Sequence, residues 1–552
     1  MHPSEPLPHL VDQYLGYLYE TCPTLAALDG VHAHDDLLEN LTRAGIEAHV
    51  RALSGFARRL ADIAPAGLSA VEQVEHPMLE ANIRGRMYDL EEVRAWERNP
   101  QVYADLVATS LAMQALFEYA PAPERARRVL SKLRQVPRVV QAARDNIKDA
   151  PGIFIKVGLE SWRGVRTFIQ TDLPRAFSSL DDLHVLGDLA DASTEASTAI
   201  GAYIEYLEQD LAPRARASFR LGRDRFEQKL KYDEGVPLGA ERLLQIATRE
   251  LAATQEEFRR VAGRLGSGDP LLTWRDAKAG HPGPGALIAT AEQQVTELRQ
   301  FVERHGLVTV PPGEPVVVAP TPDFYRWAFA SMWTPGPFES RASRAYYYLT
   351  DVERDWSAER QEEHLRDFNV PTLWAISMHE VFPGHFLQFQ HLRQVASKVR
   401  KSTLLSPASY VEGWAHYGEQ MMFEAGFARG DDRMRLGQLA EALVRLARFV
   451  VAIRLHTEDL SVEQGVRFFR DEAFLEEGSA RREAERGTFD PMYLVYALGK
   501  LMLLKLRQDY RQQQGSRYSL HTFHDTLLAQ GTAPFWAHRR LMLGDATGDL
   551  LE

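Results

Sequence analysis

From residue 8 to about residue 265 apolar side chains recur at three- and four-residue spacing, as in "PERARRVLSKLRQVPRVVQAARDNI" from Pro123, and this period predicts one amphipathic helix after another. The texture changes at "GSGDPLLTWRDAKAGHPGPGA" from Gly266, where Gly and Pro punctuate the chain and predict a loop or hinge. Beyond it, "GLVTVPPGEPVVVAPTPDF" from Gly306 and "RAYYYLT" from Arg344 are short β-branched or aromatic runs bounded by Pro and Gly, the strands expected of a small sheet. After about Arg360 the helical period returns. The expected fold is mainly α, a large helical body with a small β-sheet near a cleft. Three stretches are expected: residues 1–265 as a helical cleft wall, 266–305 as hinge and connecting helix, and 306–552 as the region that carries the chemistry.

Composition changes this picture only by exclusion. The 552 residues are 45% hydrophobic and 25% charged, which describes a globular chain able to bury a deep core. A formal net charge of −12 argues against a nucleic-acid partner, which would demand a basic surface. The densest basic stretch, "RARASFRLGRDRFEQKLKY" from Arg214, is interleaved with acids and apolar residues and reads as a solvated helix face. Cys22 is the single cysteine, so no intramolecular disulfide exists. The N-terminus lacks the basic-then-apolar pattern of a signal peptide, and no window approaches about eighteen consecutive apolar residues. The expectation is a soluble cytoplasmic protein without a membrane partner.

The chemistry gathers in "MHEVFPGHFLQ", residues 378–388. In the helix that leads into it, Asn369 is a cap, Pro371 suits the first turn, and apolar residues from Leu373 to Phe382 surround nearly the whole circumference. Such a helix is buried, so His379 and Glu380 need a partner to offset several kcal/mol, roughly, of desolvation; a divalent cation is one. His379 and His385 are six positions apart, about 240° around a regular helix, and could not share an ion there. Pro383 removes a backbone donor and Gly384 accepts unusual geometry, so a bulge or break that loops out two residues would return His385 to the face of His379.

A third ligand is sought in "SPASYVEGWAHYGEQMMFEAG", where Ser406-Pro407 starts a helix and Gly426 stops it. Glu412, His416, Glu419 and Phe423 share one stripe, which offers a carboxylate with polar support beside it. His416 is the alternative donor. Gly413, Gln420 and Glu424 widen the polar face, and such a face can also simply meet water.

"HEVFPGH" followed by "EGWAHYGE" resembles the bacterial domain-of-unknown-function family 885, whose members carry His-Glu-x-x-Pro-Gly-His and Glu-Gly-Trp-Ala-x-Tyr-x-Glu. The likeness extends to "GVHAHD" at Gly30, "PGPFE" at Pro335, "RGTFDPMYLVYALGKLMLLKLR" at Arg486 and "FHDTLLAQG" at Phe523, nearly the whole chain. The resemblance implies a zinc metallohydrolase with one ion on His379, His385 and Glu412, and with Glu380 as catalytic carboxylate; it disfavours His416. More distantly the logic is similar to thermolysin-like gluzincins, carboxypeptidase Taq and dipeptidyl peptidase III, which implies a gluzincin-like architecture.

Three protein ligands would leave a position open for water, and Glu380 could take that water's proton. Tyr493, Tyr496 and Lys500 fall on one helical stripe; Tyr496, matched by the family's C-terminal motif, is the candidate oxyanion donor, and Lys500 reads as a surface lysine. His524 beside Asp525 is a further catalytic candidate, with a helix-start hydrogen bond as the plainer reading. His32, His34 and Asp35 have metal-like lettering but read as structural, and Tyr346 to Tyr348 could form an edge strand that pairs with an extended substrate. The expected activity is hydrolysis of amide bonds in a short peptide or peptide-like substrate. An ester or non-peptide amide hydrolase and a non-catalytic metal-containing binding protein are the alternatives.

Overall fold

Amphipathic helices can hide their apolar stripes only against one another, and here they do so in three clusters. The computed structural model describes residues 5–551 apart from 267, 314–315, 322–328, 343, 354 and 545–547. One cluster is built by helices Gln101–Leu116, Ala122–Asn146, Gly152–Thr167 and Leu183–Tyr206, with Tyr103, Leu133, Trp162 and Ile200 at its centre. A second joins helices Leu7–Thr21, Arg43–Ala61 and Glu72–Tyr88 to Val399, Leu404 and Ala537 from far along the chain.

The third and largest cluster carries the chemistry. Its helices are α1 (Ala240–Leu265), α2 (Leu287–Arg304), α3 (Val370–Glu380), α4 (His385–Leu392), α5 (Ala408–Glu424), α6 (Asp432–Thr457), α7 (Glu477–Phe489), α8 (Val495–Gln514) and α9 (Leu520–Ala529). Trp414 and Tyr417 of α5 are fully buried in it, each a contribution of roughly 1.5–3 kcal/mol. The packing divides the chain differently from the boundary expected at residue 265. Helix Arg223–Glu234 and α1 belong to this cluster, α1 lying along α6. An apolar stripe of spacing three and four announces a buried face but not which partner buries it.

Between the bodies lies a three-stranded sheet of order β1–β3–β2, with β1 (Val316–Pro320) parallel and β2 (Ala330–Trp333) antiparallel to β3 (Ala345–Leu349). Alternation divides the tyrosines of β3. Tyr347 faces α3, its hydroxyl 3.3 Å from Ser377 Oγ, whereas Tyr346 and Tyr348 stack 5.3 Å apart and Tyr348 enters the N-terminal helical core. The expected edge strand is therefore corrected: β3 is central, its backbone paired on both sides, and cannot receive a substrate strand. β2 went unread because four residues are too few to show alternation. Of the run from Gly306, residues 314–315 and 322–324 lie outside the described residues.

Two buried carboxylates tie earlier elements to α5 and to the turn that precedes it. Glu234 accepts from the Ser409 backbone N–H at 2.8 Å, and Asp29 accepts from the Thr403 backbone N–H at 2.7 Å. Glu234 thus satisfies a first-turn donor of the helix that carries Glu412.

Candidate metal centre

Helix α3 starts as its sequence suggests, with the Asn369 side chain accepting from Thr372 N at 3.0 Å and Pro371 in the first turn. It stops at Glu380. Residues 381–384 are not helical, the Phe382–Pro383 peptide is cis, and α4 begins at His385. Across the break Leu387 N reaches Val381 O at 3.4 Å, a step of six residues where a helix uses four, so two residues are looped out. Gly384 permits this by close approach. Its φ of −71° is ordinary, but a β-carbon there would lie 1.7 Å from the His379 carbonyl oxygen. Trp414 Nε1 donates to Pro383 O at 2.8 Å and pins the break against α5. The two imidazoles end with ring centroids 4.8 Å apart and planes at 89°.

Helix α5 brings the third side chain. It crosses α8 backbone to backbone: a β-carbon on Gly499 would lie 1.8 Å from Ser409 O, and one on Gly413 2.5 Å from the Gly499 carbonyl carbon. Gly413, expected on a polar face, instead allows the two helices to touch, which brings Tyr496 towards Glu412. Glu412 Oε2 lies 3.3 Å from His379 Nε2 and 3.4 Å from His385 Nε2.

These distances suit ion pairs, yet Glu412 Oε2 is buried without a hydrogen-bond partner. A cation placed between these atoms would take up all three lone pairs. Tetrahedral zinc, with bonds of about 2.0–2.2 Å, separates its ligand atoms by about 3.3 Å, so the three residues fit the ion. Among the described residues no other three His, Cys, Asp or Glu side chains converge like this.

Behind His379 stands a buried polar network. Its Nδ1 lies 2.8 Å from Glu419 Oε1, and Glu419, fully buried, also receives Arg445 Nη2 at 3.1 Å and His416 Nδ1 at 3.4 Å. Burial alone would raise the Glu419 carboxyl, but the Arg445 guanidinium beside it holds it well below the usual carboxylate range. An ionised Glu419 can accept the Nδ1 proton, and in the neutral ring this would leave the Nε2 lone pair of His379 facing Glu412. His416 stays outside the converging group, and burial, assisted by the Lys500 charge, pushes its pKa well below the ordinary histidine value.

Glu380 is half-buried next to His379 and has no hydrogen-bond or ion-pair partner among the described residues. Tyr496 packs 6.4 Å from the His379 ring, centroid to centroid, and its hydroxyl accepts from Arg486 Nη2 at 3.5 Å. The Glu412 charge, then burial, raises the Tyr496 hydroxyl. Tyr493 is fully buried elsewhere in the core.

Two expectations change here. Lys500 is no surface lysine: it is 6% exposed, and burial lowers it to about 8. His524 is not brought to the converging group. Its Nδ1–H donates to Leu307 O at 2.6 Å and its Nε2 accepts from the Tyr417 hydroxyl at 2.8 Å, so neither nitrogen is free to move a substrate proton. That pairing is a tertiary bond rather than a helix-start one. His32 is structural, lying 2.8 Å from Asp35 and 2.6 Å from Glu339 and stacked on Tyr119.

Three arginines escaped sequence reasoning. Arg445, Arg448 and Arg486 surround the Tyr496 ring, their guanidinium carbons 6.0, 5.1 and 5.9 Å from its centroid. The available signal was Arg445 and Arg448 inside the apolar run "LVRLARFVV" of α6.

Comparison with known proteins places the chain. Residues 23–541 match the family described as bacterial protein of unknown function, DUF885. A structure described as "a putative lipoprotein of unknown function" from Shewanella oneidensis is 25% identical with a TM-score of 0.80, over 98% of this chain and 100% of that one. A second, described as "the putative lipoprotein" from Colwellia psychrerythraea, is 17% identical with a TM-score of 0.82, over 97% and 98%, and shares the fold. None of the curated proteins matches. The lipoprotein description of the Shewanella structure overturns the cytoplasmic expectation, which rested on the N-terminal pattern and on the lack of a long apolar window. Among the described residues no helix is long and apolar enough to cross a membrane. With the match running from residue 23 to residue 541, this chain belongs to the bacterial family DUF885.

Proposed function

We propose that this protein is a zinc-dependent hydrolase of amide bonds in short peptides or peptide-like molecules. The observation that carries the reading is the convergence of His379 Nε2, His385 Nε2 and Glu412 Oε2, with the last buried and without a hydrogen-bond partner. A zinc ion on these three residues would supply Lewis acidity for water and for the substrate carbonyl. The remaining chemistry falls to the chain itself.

Glu380, unpaired beside His379, takes a proton from the attacking water as its oxygen bonds to the carbonyl carbon. As the carbon–nitrogen bond breaks, Glu380 returns the proton to the leaving amine, so water is added across the amide. Tyr496 donates its hydroxyl to the carbonyl oxygen while that oxygen carries negative charge. Glu419 holds His379 in one tautomer from behind. The lipoprotein description of the Shewanella structure favours an extracytoplasmic setting for this activity.

The test is Glu380→Gln. Zinc content measured by elemental analysis should be unchanged while turnover of a peptide library falls by about 10²- to 10⁴-fold. A variant that keeps full turnover removes Glu380 from the mechanism.

A further inference from the structure

The hydrolase reading leaves open which part of a substrate the cleft grips, and the arginines around Tyr496 bear on it. Arg448 spends Nε and Nη2 on Glu483, each at 2.7 Å. Arg486 spends Nε and Nη2 on Asp490 at 3.0 and 2.9 Å, with Nη2 also reaching the Tyr496 hydroxyl. Neither Nη1 has a protein partner among the described residues. Arg445 differs, because its Nη1 is consumed by Glu441 and its Nη2 by Glu419, and its unpartnered Nε is buried. Two unused donors therefore flank the tyrosine that packs beside His379, on side chains 14% and 35% exposed.

We propose that Arg448 and Arg486 bind a carboxylate of the substrate, so that the enzyme, on the hydrolase reading above, acts at the free carboxyl end of short peptides or acyl amino acids. Each guanidinium is already held in plane by its own carboxylate, so little freedom is lost when it binds a second one. Glu483, Asp490 and Glu412 are close by, and this much negative charge suits a monoanion better than a phosphate dianion. Spacing agrees: Tyr496 lies 6.4 Å from the His379 ring and 5.1 Å and 5.9 Å from the two guanidiniums. The His379 ring and either guanidinium are thus no more than about 12 Å apart, a distance within the reach of a short peptide at about 3.3–3.6 Å per residue.

The experiment uses zinc-loaded full-length protein carrying Glu380→Gln and a randomised N-acetyl tripeptide library in two forms, free acid and C-terminal amide. Equilibrium dialysis with mass spectrometry reads what is retained. Free acids should be retained at least tenfold over amides. In Arg486→Gln the ratio should fall to near unity, and Arg448→Lys, which keeps a charge on Glu483, should lower it in part. Thermal unfolding checks that both variants fold. Loss of Tyr496 positioning alone would weaken acid and amide equally and leave the ratio intact. Equal retention, no retention of either form, or a preference that survives in both variants overturns the proposal. Protein with intact Glu380 separates the two readings. If it cleaves acids and amides alike, the hydrolase stands and the carboxylate receptor falls; if it cleaves neither while the acid preference persists, the receptor stands and the hydrolase falls.

Discussion

Gly384 lies against the backbone of His379 so closely that a β-carbon on Gly384 would stand 1.7 Å from the His379 carbonyl oxygen and 2.3 Å from its carbonyl carbon. Gly384→Ala must therefore displace the break between α3 and α4, and with it the angle between the two imidazoles. The expected cost is about 1–3 kcal/mol of stability and at least a tenfold fall in zinc content. Gly55→Ala is the control, since a β-carbon there meets nothing within 4 Å in a helix interior; it should gain roughly 0.5–1 kcal/mol. Equal behaviour of the two variants in thermal unfolding and elemental analysis would refute the role given to Gly384.

Glu419→Gln keeps the shape but removes the charge that accepts the His379 Nδ1 proton and that pairs with Arg445. Zinc affinity, measured by competition with a chromogenic chelator, should drop about 10- to 100-fold. Unchanged affinity would mean that His379 needs no anionic partner.

Tyr496→Phe removes the hydroxyl and leaves the ring that packs beside His379. Turnover should fall about 10²- to 10³-fold with zinc content and melting temperature little altered. A fall in zinc content of the same size would make Tyr496 a structural residue instead.

His456 and His524 are neutral in the folded protein because burial depresses each from the ordinary 6.5 to about 4. Below pH 6.5 the unfolded chain takes up protons that the folded chain refuses, so stability falls as pH drops from about 6.5 to about 4, by up to ~1.4 kcal/mol per pH unit for each group. Melting temperature followed across this window should decline. His524→Gln should be less stable near neutral pH, because it loses bonds to Leu307 and Tyr417, yet show a shallower decline. A slope identical to that of the unsubstituted protein would exclude His524 as a contributor.

Much of the fold follows from local spacing. The helical period before residue 265 and after residue 360, the Asn369 cap and the strand runs at Val316 and Ala345 correspond to observed elements. The break at Pro383-Gly384 was legible for the same reason, since a missing donor and a missing β-carbon act within one turn. Lys500 was misread because the stripe it shares with Tyr496 is the same whether water or Glu419 lies opposite. His524 was misread because its partners, Leu307 and Tyr417, are more than a hundred residues away in the chain.

By itself the sequence determined which residues could ever serve: it set the histidines six apart, placed a proline and a glycine between them, and put Glu412, His416 and Glu419 on one stripe. Only the tertiary structure decided that Glu412 turns to the two Nε2 atoms while Glu419 turns to Nδ1 of His379, and that three arginines enclose Tyr496. The physical reason is that backbone periodicity assigns a side chain to a face of its own helix. What that face meets depends on how closely another helix can approach, here on Gly413 against Gly499, and no local pattern contains that distance.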